Sequence, residues 1–125
     1  MSLALRELMI ETALAMNASG INQGTAGNLS VRTDDGMLIT PSGMPYSELV
    51  PDDMVQVNMA GASSGEREPS SEWRIHRDVY RERRDAQAIV HAHPANCVTL
   101  ACLGMPIPAF HYMVAVAGGR DIRCS

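Results

Sequence analysis

Near the start of the chain Leu5, Leu8, Met9, Ala15 and Met16, with Thr12, recur at helical spacing. Gly20 follows as a residue suited to the left-handed position that ends a helix. This pattern predicts a helix over residues 3–18. The period then shortens. Leu29-Ser30-Val31-Arg32 and Met37-Leu38-Ile39-Thr40 read as strands joined by a turn at Asp34-Asp35-Gly36, and Met54 to Asn58 reads as another strand. Tyr46 to Val50 is a helical turn stopped by Pro51, and residues 60–69 form a Gly/Ser/Glu loop. Ser70-Ser71-Glu72 opens a second helix over residues 71–84, with a serine cap and an early glutamate at the positive end. Ile75, Val79 and Tyr80, beside Trp73, are its expected buried face. Arg74, Arg77, Arg81, Arg83 and Arg84 are its expected solvated one.

The apolar run Ala88-Ile89-Val90 leads into His91-Ala92-His93 and reads as a buried strand. Pro94 can start a third helix that ends at Gly104. Met105 to Pro108 is an extended connector. Ala109 to Val116 is expected to be a further strand or buried segment, broken by Gly118-Gly119. The order of elements predicts one mixed α/β domain over residues 1–125 with a largely antiparallel sheet.

Composition narrows the partners. A chain of 125 residues with 46% hydrophobic and 19% charged residues suits a soluble domain with one core. No apolar run approaches the ~20 residues of a membrane span, and no signal peptide is evident. A net charge of −4 without a basic stripe argues against nucleic acid. Cys97, Cys102 and Cys124 are an odd number without a secretion signal, which points to reduced thiols in the cytoplasm.

The chemistry is bounded by an absence. All ten basic residues are arginine. Schiff-base catalysis through a lysine of this segment is therefore excluded, and carbanion chemistry here needs another electron sink, for which a metal is the obvious choice. On a strand, His91 and His93 point the same way with Cα atoms about 6.5–7 Å apart, close enough to converge on one ion. The same pair can equally bond to backbone or water. His76, four residues after Glu72, is a weaker candidate because it lies deep in an arginine-rich segment. Asn22 to Asn28 is a loop of small and amide residues whose N–H groups can hold phosphate or simply turn the chain. Gly27-Asn28, Ser42-Gly43 and Ser70-Ser71 all adjoin regular elements. If they converge, neutral donors alone can bind a phosphate.

The motifs Asn22-Gln23-Gly24-Thr25-Ala26-Gly27-Asn28, Thr40-Pro41-Ser42-Gly43, Pro69-Ser70-Ser71-Glu72-Trp73 and Val90-His91-Ala92-His93 occur in the order and spacing of the class II aldolase/adducin family. Pro108 to Met113 and Ala117-Gly118-Gly119 extend the resemblance over essentially the whole chain. It implies an α/β/α sandwich with a mixed, largely antiparallel sheet, assembled as a homotetramer with active sites between subunits. It further implies Glu72 as zinc ligand and acid/base, His91 and His93 as zinc ligands, and Gly27, Asn28, Ser42, Gly43, Ser70 and Ser71 around the substrate phosphate. Tyr112 is expected to reach a neighbouring subunit's site and assist proton transfer.

The implied reaction is cleavage of a ketose 1-phosphate, resembling fuculose 1-phosphate, to dihydroxyacetone phosphate and an aldehyde through a metal-stabilised enediolate. Family members continue past Ser125 and carry a third histidine ligand there, to which His111 does not correspond. The chain is accordingly expected to be a fragment or a truncated form. The alternatives are a sugar-phosphate 4-epimerase or dehydratase of the same superfamily and a non-catalytic, adducin-like interaction domain. Glu72 favours the aldolase over the epimerase, which the resemblance gives an aspartate there.

Overall fold

Helix α1 (Leu3–Ala18) begins at Ser2, whose hydroxyl accepts a hydrogen bond from the Leu5 N–H at 3.2 Å. It ends just before Gly20, at a φ of 81°. Its buried residues are Met9, Ala13 and Met16, whereas Leu8 is 56% exposed. The apolar stripe read from spacing is thus rotated toward Ala13, because the small side chain lets the helix approach the sheet closely. The computed structural model describes residues 2–125. They form two units, the first running to Ala92 and the second spanning His93–Ser125.

In the first unit, β1 (Asn28–Arg32), β2 (Gly36–Ile39), β3 (Val55–Asn58), β4 (Ser63–Ser64) and β5 (Ala88–His91) make a five-stranded sheet in the order β4-β3-β2-β1-β5. Each of the four pairings is antiparallel. Side chains of β2 alternate between two cores, as a strand demands. Leu38 joins Met9, Ala13, Met16, Leu29, Tyr46, Leu49 and Met54 under α1. Met37 and Ile39 join Val55, Val57 and Tyr80 on the opposite face, where α2 (Trp73–Glu82) packs. Helix, sheet and helix make the expected three layers.

The expected hairpin at Asp34-Asp35-Gly36 joins β1 and β2 antiparallel, and its turn needs no left-handed residue. Thr33 and Gly36 exchange backbone hydrogen bonds across Asp34-Asp35, and neither aspartate has a positive φ. Gly36 is required for a different reason. A Cβ there would lie 2.1 Å from the Val57 carbonyl oxygen of β3.

Two further expectations are corrected in this unit. β5 is an edge strand and only half-buried. The buried face of α2 consists of His76 and Tyr80, while Ile75 and Val79 are 47% and 37% exposed. The face is chosen by hydrogen bonding to β1. Trp73 is half-buried, under the Arg74 and Arg77 guanidinium groups at 4.6 and 5.1 Å from its ring.

In the second unit, α3 (Ala95–Cys102) follows Pro94, and Gly104 takes a φ of 65° after it. Ile107 and Ile122 exchange backbone hydrogen bonds at 2.8 and 2.9 Å. The predicted strand over Ala109 to Val116 is instead a 3₁₀ turn, Tyr112–Ala117. No strand of this unit pairs with it, and it satisfies its backbone locally through Val114 N–H to His111 O at 3.1 Å and Gly118 N–H to Ala115 O at 2.9 Å. The three cysteines are free and exposed. Among the described residues no helix is long and apolar enough to cross a membrane.

Arg32 ties α2 to the sheet. Its Nε donates to the Ala86 carbonyl at 2.7 Å, and one terminal nitrogen donates to the Tyr80 and Arg83 carbonyls at 2.9 Å each. These carbonyls lie at the negative end of α2. Its guanidinium also stands 4.6 Å from the centre of the Tyr80 ring. Arg32→Met removes three charge-assisted bonds and is expected to cost about 2–4 kcal/mol of unfolding free energy. The measurement is the denaturant midpoint at unchanged m-value. A change within about 0.5 kcal/mol, the usual range for a surface substitution, would show that the contact is incidental.

Candidate active site

Register places the first two members of the site. In the β1–β5 ladder Asn28 lies opposite His91. The Glu72 carboxylate comes from the residue that precedes α2. Its Oε2 accepts a hydrogen bond from Asn28 Nδ2 at 2.6 Å and lies 3.1 Å from His91 Nε2. The side chains of Glu72 and His91 are each about one-third exposed, at 33% and 30%, so the cluster is open to a ligand. His93 follows two residues on, just past the end of the first unit, and the covalent chain keeps it beside His91. One donor atom from each of Glu72, His91 and His93 lies within 4.8 Å of the others.

Two imidazoles and a carboxylate are a donor set of the kind found in catalytic zinc sites, which keep a further position for water or substrate. Ligand atoms about 2.0–2.1 Å from one ion can stand up to about 4.2 Å apart. Donor atoms within 4.8 Å of one another reach that span with at most small side-chain rotations. The residues therefore fit a divalent metal ion.

Behind this cluster runs a chain of buried polar contacts. His76 is fully buried on α2. Its Nε2 meets Asn28 Oδ1, and its Nδ1 lies 2.7 Å from Ser30 Oγ. Ser30 Oγ lies 2.8 Å from the Tyr80 hydroxyl. Burial, reinforced by the charge of nearby His91 and opposed by Glu72, lowers the His76 pKa to about 4, so the ring is neutral near pH 7. Burial also raises the Tyr80 pKa, keeping its hydroxyl protonated. Helical spacing on α2 puts Glu72, His76 and Tyr80 on one face. Along the sequence the Glu72/His76 interval reads as a weak candidate for a shared metal, and the structure instead turns His76 toward Asn28 and Ser30. Ser30 and Tyr80 join the site only through the fold, although the i, i+4, i+8 series is visible along the chain.

The three small-residue turns are brought together at Thr40, which is buried. Its N–H donates to Leu29 O at 3.0 Å, its hydroxyl accepts from Leu29 N–H at 3.2 Å, and its carbonyl accepts from Ser70 N–H at 3.0 Å. A bridge between Pro41 and Pro69, with Ser42 N–H donating to Glu68 O at 3.0 Å, aligns the Ser42-Gly43 and Ser70-Ser71 turns. Ser70 is buried, and its hydroxyl accepts from Glu72 N–H at 3.4 Å. Ser42, Gly43 and Ser71 are exposed.

Gly27 has a φ of 77°, and a Cβ there would meet the His91 carbonyl oxygen at 2.6 Å. Only glycine lets this turn lie so close to β5. Asn28 differs from the other members, since its side-chain amide faces Glu72 and His76. Tyr112 lies in the second unit with 78% of its surface exposed and stacks near His111, ring centres 4.5 Å apart.

The sequence matches the class II aldolase and adducin N-terminal domain family over residues 7–125. It is 55% identical, over 97% of this chain, to a 5-methylthioribulose-1-phosphate/5-deoxyribulose-1-phosphate aldolase of Rhodospirillum rubrum, of which it covers 55%. It is 49% identical over 97% of the chain to an L-fuculose phosphate aldolase of Escherichia coli O6:H1, covering 56% of that protein. A solved L-fuculose 1-phosphate aldolase superposes with a TM-score of 0.89 at 41% identity, over 98% of this chain and 59% of that one. The chain thus spans little more than half the length of the relatives it matches. The matched family, the shared fold and the clustered Glu72, His91 and His93 together establish that this chain belongs to the class II aldolase/adducin family and carries the class II aldolase fold.

Proposed function

We propose that this protein is a metal-dependent aldolase that cleaves a deoxyketose 1-phosphate, fuculose 1-phosphate or 5-deoxyribulose 1-phosphate in kind, to dihydroxyacetone phosphate and an aldehyde. The observation that carries the reading is the cluster of Glu72, His91 and His93 beside three convergent small-residue turns in a chain with no lysine. The names of the relatives support the substrate class. Glu72, His91 and His93 would hold a zinc ion, which when bound supplies a Lewis acid for the substrate's carbonyl and hydroxyl oxygens.

The chain's own residues divide the remaining work. Gly27, Asn28, Ser42, Gly43, Ser70 and Ser71 would surround the phosphate with neutral donors and fix the reacting carbons by positioning. Cleavage removes the proton of the C4 hydroxyl and breaks the C3–C4 bond. The electron pair passes into an enediolate on the phosphate-bearing half, which is then protonated at C3. Glu72 would hold or return that proton. Tyr112 would serve the proton transfer at the site of a neighbouring subunit in a homotetramer. The cytoplasm, with its reduced thiols, suits the three free cysteines.

Removing divalent metal with a chelator is expected to abolish aldol cleavage and added Zn²⁺ to restore it; full turnover after exhaustive metal removal overturns the metal-dependent reading. Glu72→Gln is expected to lower kcat by roughly 10²–10⁴, the range for a lost acid/base group. Zinc content measured on the same variant separates that loss from loss of the metal. Ser71→Ala is expected to raise KM for the phosphorylated substrate about tenfold to a hundredfold, as for one lost hydrogen bond to a charged group. Equal effects on phosphorylated and unphosphorylated substrates would remove Ser71 from the phosphate site.

A further inference from the structure

The contacts from Tyr80 to Glu72 form a single hydrogen-bonded chain with one permitted polarity. An ionised carboxylate can only accept. The Asn28 group 2.6 Å from Glu72 Oε2 must therefore be the Nδ2 donor, which leaves Oδ1 facing His76. An amide oxygen accepts, so His76 must carry its proton on Nε2. Nδ1 is then a bare lone pair and must receive the Ser30 hydroxyl proton across 2.7 Å. Ser30 Oγ in turn accepts from the Tyr80 hydroxyl at 2.8 Å. These hydrogen positions follow from the partners of each group. Arg32 holds the Tyr80 end in place through the Tyr80 carbonyl.

An Asn amide turned by 180° has nearly the same shape, so packing alone does not choose its orientation. Turned over, it would set Oδ1 against the Glu72 carboxylate, two acceptors in contact. The donor at His76 Nε2 forbids that state. His76 is fully buried and Asn28 is 3% exposed, so water is poorly placed to substitute.

We propose that His76 is a positioning residue. As the neutral Nε2–H tautomer it locks the Asn28 amide, and through it the orientation of the Glu72 carboxylate that binds metal and moves the proton. The assignment rests on the aldolase reading for the role of Glu72. It follows the rule that partners behind a ligating group fix that group's orientation.

Two variants separate this role from simple core packing. His76→Gln keeps an N–H donor where Nε2 lies and is expected to retain most turnover. His76→Asn keeps a polar group only at the Nδ1 position and is expected to lower kcat about tenfold to a hundredfold, the usual cost of losing such a partner. The effect should fall on kcat more than on KM for the phosphorylated substrate, since Asn28 alone among the residues of the phosphate turns is touched. Introduced into Glu72→Gln, His76→Asn should lower kcat no further, because the two changes act through one group.

In the wild-type protein, imidazole ¹⁵N shifts should report the Nε2–H tautomer for His76. An Nδ1–H tautomer overturns the proposal whatever the activity. So does an equal kcat for the Gln and Asn variants, or a loss confined to KM, in a protein that needs Glu72. Unchanged turnover in Glu72→Gln overturns the aldolase reading and this proposal together.

Discussion

The docking of α2 onto β1 is polar where most helix–sheet contacts are apolar, and the site depends on it. Ser30, His76, Tyr80 and Asn28 are all buried. Each such group costs free energy unless it is paired. No buried side-chain nitrogen or oxygen among the described residues lacks a partner. A fully satisfied buried network tolerates only one arrangement, since a shift of the helix along the strand would strand several donors and acceptors at once. That constraint carries Glu72 to the end of β5 with less freedom than an apolar interface would allow. Arg32 closes the other end of the contact by binding the last carbonyls of α2.

Thr40 plays a comparable part for the small-residue turns. One buried side chain and its backbone bond to both Leu29 and Ser70. Turns far apart in sequence thereby meet at one end of β1 and β2, near Glu72. An anion placed there would be met by hydroxyls and backbone N–H groups and by no lysine. Such donors bring no long flexible side chain that must be ordered on binding. Their placement depends on fixed turns, which explains why Gly27 is wedged against the His91 carbonyl with no room for a Cβ.

Local chemistry was legible where one residue type performs one task. Helix α1, the strands flanking Asp34-Asp35, the metal-type donors His91 and His93, and the serine turns could all be read in order along the chain. Four spaced motifs made the family legible as well. The faces of the two long helices were legible only in part: Met9, Met16 and Tyr80 are buried as expected. Leu8, Ile75 and Val79 look buried by spacing and lie in solvent or half in it, because a neighbouring surface decides which side of a helix is covered. The segment from Ala109 to Val116 looked like a strand, but β-type residues make a strand only where another strand completes the ladder.

The sequence by itself determined the inventory: two histidines at a strand spacing that suits one metal ion, a glutamate that the family resemblance sets beside them, small-residue turns in place of lysine, and alternating strands for one sheet. Those properties are local, set by residue type and by periods of two and 3.6. Only the tertiary structure decided which turn meets which, that β5 is an edge and that α2 presents His76 and Tyr80 to Ser30. It also decided that the Asn28 side chain faces a carboxylate. These outcomes depend on pairings across 44 to 50 residues of chain, and they are fixed by the simultaneous satisfaction of buried donors and acceptors, a condition that no local stretch of sequence can express.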